Sequence, residues 1–216
     1  MTIPPLPTPD ARSGWFRLDT LLGPLLLLTL VAVVGYATFG LHPSLLAGYP
    51  GLADFYGISF QFFGQAHSWG VALVLGIYLY RRVGIRWIPA ALVASVISLG
   101  AELLGTSTGL PFGAYEYTDL LGWKLAGLVP AVIPLSWFAM ALPGYVLARR
   151  RFPGSDWRWA RLLTATGFLL VWDLALDPAM SHLTPYWTWG TDGAYYGMPW
   201  INLLGWGITW IAIMAS

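Results

Sequence analysis

Two aspartates four residues apart, Asp173 and Asp177 in VWDLALDP, interrupt an otherwise apolar run. On a helix this spacing stacks both carboxylates on one face, about 6 Å apart along the axis. Glu102 lies in a second apolar run, and Ser98 precedes it by the same interval. An ionisable group inside a membrane span costs at least ~2.5–3.5 kcal/mol unless it is paired or faces a cavity, which makes these carboxylates the first candidates for chemistry. Gln61, Gln65 and His67 on an earlier apolar stretch and Asn202 on a later one bring further polar groups to the same level. Such groups act either as acid–base machinery or as interhelical hydrogen bonds that hold a bundle together.

The residues that are missing narrow the chemistry. The only histidines are His42, His67 and His182, too few and too scattered for a histidine-rich iron centre, and there is no cysteine for a disulfide or a thiolate metal site. No glycine-rich loop joins a strand to a helix, so no nucleotide cofactor is expected. DLALD has the D-x-x-x-D form of one aspartate motif of membrane prenyltransferases, but the second motif is missing. A net charge of +1, without clustered basic residues in polar surroundings, excludes a nucleic-acid partner. Acid–base chemistry on an apolar substrate remains, with no metal and no cofactor.

The elements that must position these groups are membrane helices. Of 216 residues, 57% are hydrophobic and 10% charged, against roughly 25% charged in an average soluble domain. Apolar runs at about 20–40, 58–80, 87–104, 125–148, 160–176 and 198–215 predict an all-α, polytopic transmembrane bundle of about six spans. Residues 1–19, with four prolines among the first ten, read as a disordered tail, and 20–216 as one transmembrane domain. The first run is too long for a secretory h-region of roughly 7–15 residues. Ten of the eleven basic residues fall on one side of the six-span scheme, Lys124 being the exception. The N-terminus is therefore expected in the cytoplasm of a multi-pass cell-membrane protein, with the loops 41–57, 105–124 and 177–197 outside. Residues 100–117, GAELLGTSTGLPFGAYEY, turn from helix into a loop with Gly105, Gly109 and Gly113 at intervals of four. So apolar a loop should pack onto the end of the bundle.

The segments GTSTGLPFGAYEYTDLLG, VPAVIPLSW, DLALDPAM and YYGMPWINLLGW together resemble the integral-membrane carotenoid 1,2-hydratase family, which also includes hydratases of bisanhydrobacterioruberin. The resemblance covers roughly residues 60–210. It implies addition of water, without a cofactor, across the terminal double bond of a ψ end group, as in lycopene or γ-carotene, to give a tertiary 1-hydroxy carotenoid. It also implies a carotenoid substrate held in the bilayer and other membrane enzymes of carotenoid synthesis as partners. Members of the family are often longer than this chain.

The mechanism that fits the residues is protonation of C-2 by a carboxylic acid kept in its acid form by burial, followed by capture of the C-1 cation by water. Asp173 is the first choice for the acid and Glu102 its closest competitor, with Asp177 or Glu102 as counter-charge and water base. The candidate substrate contacts are Phe112, Tyr115, Tyr117, Trp172, Asn202, Trp206, His67 and Gln65, the ring faces among them suited to a passing cation. Aromatic residues are also common at membrane interfaces for packing reasons alone. Two alternatives share these features: a membrane carotene cyclase, in which an internal alkene replaces water, and a carotenoid-binding or transport protein that leaves its ligand unchanged.

Overall fold

The computed structural model of the chain describes residues 18–215. Residues 1–17, which include most of the expected tail together with Arg12 and Arg17, lie outside the described residues, while Leu18 and Asp19 already belong to the first helix. The helices are α1 (Leu18–Gly35), α2 (Pro50–Val83), α3 (Ile88–Thr108), α4 (Val132–Arg151), α5 (Arg158–Asp177) and α6 (Ile201–Ala215). Four helical stretches are long and apolar enough to cross a membrane: Thr20–Gly40, Pro50–Thr108, Val132–Arg151 and Arg158–Leu183. The second contains both α2 and α3, joined by the 3-10 turn Gly84–Trp87. α6 is apolar but shorter. The chain is an all-α, multi-pass membrane protein.

The chain forms two compact units, one through Phe63 and one from Gly64. In the first, α1 continues into a π-helical turn, Tyr36–Gly40, and most of its leucines and valines are exposed, as suits a helix solvated by lipid. Tyr36, Phe39, Tyr56 and Phe60 form its aromatic cluster.

In the second unit α3 packs on α4, α4 on α5, α5 on α6 and α6 back on α3, closing a ring of four helices. Each helix turns a buried stripe with i, i+3/i+4 spacing into that ring: Ala91, Ala94, Ser98, Glu102 and Gly105 on α3, and Leu162, Ala165, Thr166, Leu169, Asp173 and Asp177 on α5. The stripes mix small residues with the polar ones, so the backbones approach closely where there is little hydrophobic drive between helices in lipid. Ser98 belongs to this framework, its hydroxyl reaching the Ser95 and Pro134 carbonyls at 3.2 and 3.4 Å.

The loops at one end of the ring are ordered by short β-pairing that the helical reading does not anticipate. β1 (Tyr115–Tyr117) pairs antiparallel with β4 (Trp187–Trp189), with Tyr115 opposite Trp189 and Tyr117 opposite Trp187. β2 (Lys124–Leu125) and β3 (Val129–Pro130) form a hairpin. Its three-residue connection has Ala126 and Gly127 both at positive φ, at the centre of a turn closed by Leu128 N–H on the Leu125 carbonyl at 3.0 Å, and because the hairpin takes up these residues α4 starts at Val132 and not near residue 125. Lys124, the exception in the arginine pattern, braces β1: its ammonium donates to the Tyr117 carbonyl at 2.8 Å and pairs with Asp119 at 2.8 Å.

α3 ends at Gly109, whose φ of +79° makes a left-handed cap with its N–H on the Gly105 carbonyl. Gly113 follows at φ +103°, and a β-carbon there would stand 2.6 Å from Pro199 Cγ. Gly113→Val should therefore fail to accumulate, since it adds a clash to a backbone conformation that costs ~1–3 kcal/mol for other residues. Gly109→Val should be weakened in the same direction. Immunoblotting of membranes and thermal aggregation of detergent extracts measure both effects, and normal accumulation of the Gly113→Val protein would contradict the packing described.

Candidate active site

Phe112 anchors the loop after α3. It is buried between two glycines on facing helices: a methyl group at Gly105 would stand 2.7 Å from its ring, and one at Gly205 on α6 would stand 2.6 Å away. Its ring meets Tyr115 edge-on at 6.1 Å and Trp137 at 6.2 Å, and Trp137 in turn lies 4.6 Å from Trp206. Tyr115, Tyr117, Trp187 and Trp189 extend this wall across the β1–β4 ribbon, while Glu116 and Thr188, at alternate positions, are exposed.

Glu102, 5% exposed, is gripped by donors on both oxygens. Tyr115 and Tyr117 hydroxyls donate to Oε2, the latter at 2.9 Å, and the Trp137 indole donates to Oε1 at 2.9 Å. Burial, and after it the Glu102 carboxylate, push both phenols well above the usual tyrosine range, so they remain donors.

The second group centres on α5. Asp173 is fully buried and Asp177 nearly so. One amide nitrogen, Asn202 Nδ2, donates to Asp177 Oδ2 at 2.8 Å and to Asp173 Oδ2 at 3.1 Å. Asp177 Oδ1 also accepts from Ser181 Oγ at 3.1 Å and from Trp189 Nε1 at 3.2 Å. Asp173 Oδ1, though buried, has no hydrogen-bond partner. A buried acceptor of this kind is costly in a packed interior unless a proton or a small molecule meets it; among the described residues the Tyr56 hydroxyl and the Trp87 and Trp210 indoles are buried without a partner as well.

A single register pair joins the two groups. Tyr115, bound to Glu102, lies opposite Trp189, bound to Asp177, with ring centroids 5.5 Å apart. Carboxylates on α3 and α5 thus face a common aromatic wall, and the donors to them are phenol, indole, hydroxyl and amide groups. Such a site can hold and move a proton, and can surround a cation with ring faces and negative charge. Among the described residues no cluster of three His, Asp or Glu side chains is arranged to hold a metal ion.

Of the residues singled out in the sequence, Glu102, Asp173, Asp177, Phe112, Tyr115, Tyr117, Asn202 and Trp206 come together here. Trp172 does not: it is 55% exposed on the outer side of α5, because successive helical residues point about 100° apart. Gln65 is engaged elsewhere, its amide donating to the Leu120 carbonyl at 3.2 Å, and His67 is half-buried on α2. Trp137, Trp187 and Trp189 join the site without having stood out in the sequence. The alternation in Tyr-Glu-Tyr and Trp-Thr-Trp is the available signal for the ribbon that carries two of them.

Fold and site define a helical membrane protein with a buried carboxylate and aromatic centre. Residues 64–216, the span of the second compact unit, match the family described as carotenoid biosynthesis protein, and the chain belongs to that family. A curated relative is the bisanhydrobacterioruberin hydratase of Haloarcula japonica, 35% identical over 138 residues. The match takes in 62% of this chain but only 45% of that relative's length. No solved structure is similar to the chain.

Proposed function

We propose that this protein hydrates the terminal C-1,2 double bond of the ψ end group of an acyclic or half-acyclic carotenoid, giving a tertiary 1-hydroxy product. The observation that carries this reading is the Asp173–Asp177 pair, bridged by one amide, with one buried carboxyl oxygen left without a partner. Two like charges this close in an apolar interior are relieved when the pair shares one proton, as in other acid pairs. The hydratase activity named for the Haloarcula japonica relative supports the same reaction class.

In this reading Asp173 Oδ1 delivers the proton to C-2. The alkene π electrons form the new C–H bond and leave a tertiary cation at C-1. Glu102, fixed by its three donors, supplies counter-charge, and the Trp137 and Trp206 faces supply cation–π attraction. Water bonds to C-1 through oxygen and gives its surplus proton to the carboxyl pair. One water is consumed, the acid is restored, and nothing is oxidised or reduced. The arginine distribution supports a placement of this centre near the outer face of the cell membrane, where water is at hand.

The test is the origin of the product oxygen. Membranes from a host that accumulates lycopene, incubated without oxygen in ¹⁸O-labelled water, should yield a hydroxylated carotenoid carrying the label at C-1 by mass spectrometry. Label taken from ¹⁸O₂ would refute hydration, and an isomer of unchanged mass would indicate a cyclase.

A further inference from the structure

A cavity of about 330 Å³ opens between the π-helical turn that follows α5, Pro178–Leu183, and the segment after β4. Ser181, His182, Thr188, Trp189, Asp192 and Tyr196 line it. Two of these reach inward, since Ser181 and Trp189 both donate to Asp177 Oδ1. Polar contacts then run from Asp177 Oδ2 through Asn202 Nδ2 to Asp173 Oδ2.

We propose that this cavity is the water vestibule of the enzyme, feeding the Asp177–Asp173 pair from the aqueous side while the carotenoid enters from the bilayer. The proposal rests on the hydratase reading and adds the route of its second substrate. Hydration consumes one water per turnover at a centre walled by Phe112, Trp137 and Trp206, and no water crosses such a wall readily. The vestibule wall is mixed: beside the Trp189 and Tyr196 rings it carries hydroxyl, imidazole and carboxylate groups that can hydrogen-bond water. It is open to solvent and large enough to hold several waters.

Ser181 is the relay at its inner end. Its hydroxyl has one hydrogen and two acceptors in reach, the Asp177 carbonyl at 2.8 Å and Asp177 Oδ1 at 3.1 Å. It can turn from one to the other while its lone pairs accept from water. The π-helical turn keeps Ser181 over Asp177, and such turns recur at functional sites. At the rim, Tyr196 is held at φ +52°, followed by Gly197 at φ +89°, in a turn closed by Met198 N–H on the Tyr195 carbonyl at 2.9 Å. A bulky residue rarely adopts that conformation; here it sets the Tyr196 ring edge-on to His182 at 5.7 Å, across the opening.

Because the chain has no cysteine, single introduced thiols report on the cavity directly. In full-length protein in membranes opened to both sides, a charged, membrane-impermeant methanethiosulfonate should modify Ser181→Cys at least about tenfold faster than Val171→Cys on the exposed apolar side of α5, since only a hydrated thiol ionises readily. With unloaded Thr188→Cys as its own reference, loading the thiol with a bulky methanethiosulfonate should lower kcat about tenfold or more with KM for the carotenoid unchanged, reversibly on reduction. Equal rates at the two thiols would show a cavity closed to water and overturn the vestibule. Unchanged kcat after complete loading would show that water arrives elsewhere, and overturns it as well. If wild-type protein forms no hydroxylated product while Ser181→Cys is modified rapidly, the hydratase reading falls and the hydrated cavity stands.

Discussion

Asp173→Asn should abolish carotenoid hydration while leaving the amount of folded protein close to wild type. The asparagine amide oxygen can take the place of Oδ2 and accept from Asn202, and its amino group then occupies the position of Oδ1, where no partner has to be given up. The fold therefore loses little. What goes is the acidic proton, and a positioned general acid is worth about 10²–10⁴-fold in rate. The parallel change at Asp177 behaves differently. Both Asp177 oxygens accept, from Ser181, Trp189 and Asn202, so an amide there sets a donor against the Trp189 N–H or the Asn202 amino group, at about 1–3 kcal/mol. Product mass analysis and immunoblotting of the two variants side by side separate these effects. Turnover near wild type in Asp173→Asn would move the acid role to another carboxyl.

Glu102→Leu should eliminate the protein. Three buried donors, the Tyr115 and Tyr117 hydroxyls and the Trp137 indole, lose their acceptor together. At roughly 1–3 kcal/mol for each orphaned group the loss is comparable with a total stability of about 5–15 kcal/mol. Glu102→Gln offers an escape. Its amide oxygen can face Trp137, which can only donate, and its amino group can face the two phenols, which can turn and accept. That variant should fold, as fluorescence-detected size-exclusion chromatography will register. It should still lose about 10²–10³-fold in turnover, because in the proposed mechanism the negative charge of Glu102 stabilises the cation and the amide does not. Full activity in Glu102→Gln would remove Glu102 from the chemistry and leave it a purely structural acceptor.

Both variants address residues that are legible in the sequence. Helix positions can be read because a run of about twenty apolar residues fits a membrane span and little else, and Glu102, Asp173 and Asp177 stand out because charge is costly in such runs. Asn202 is visible as a neutral but polar side chain in such a run. The β1–β4 ribbon is not, because it pairs two three-residue strands distant in sequence, each too short to carry a signal of its own. Trp137, Trp187 and Trp189 are hidden among thirteen tryptophans. Only the fold selects the three that belong to the site. Trp172 is misplaced by its neighbourhood in sequence, since a residue adjacent to Asp173 lies on a different face of α5.

The place of Asn202 and Gly205 on α6 also sets an order in time. Asp173 and Asp177 emerge from the ribosome before the amide that bridges them, and Phe112 emerges before the helix that supplies the far wall of its slot. Until α6 docks, the carboxyl pair lacks its bridging amide and the loop after α3 is held on one side only. In the proposed mechanism, insertion of α6 therefore completes the acid: a chain that ends before Asn202 holds both aspartates without the amide that bridges them.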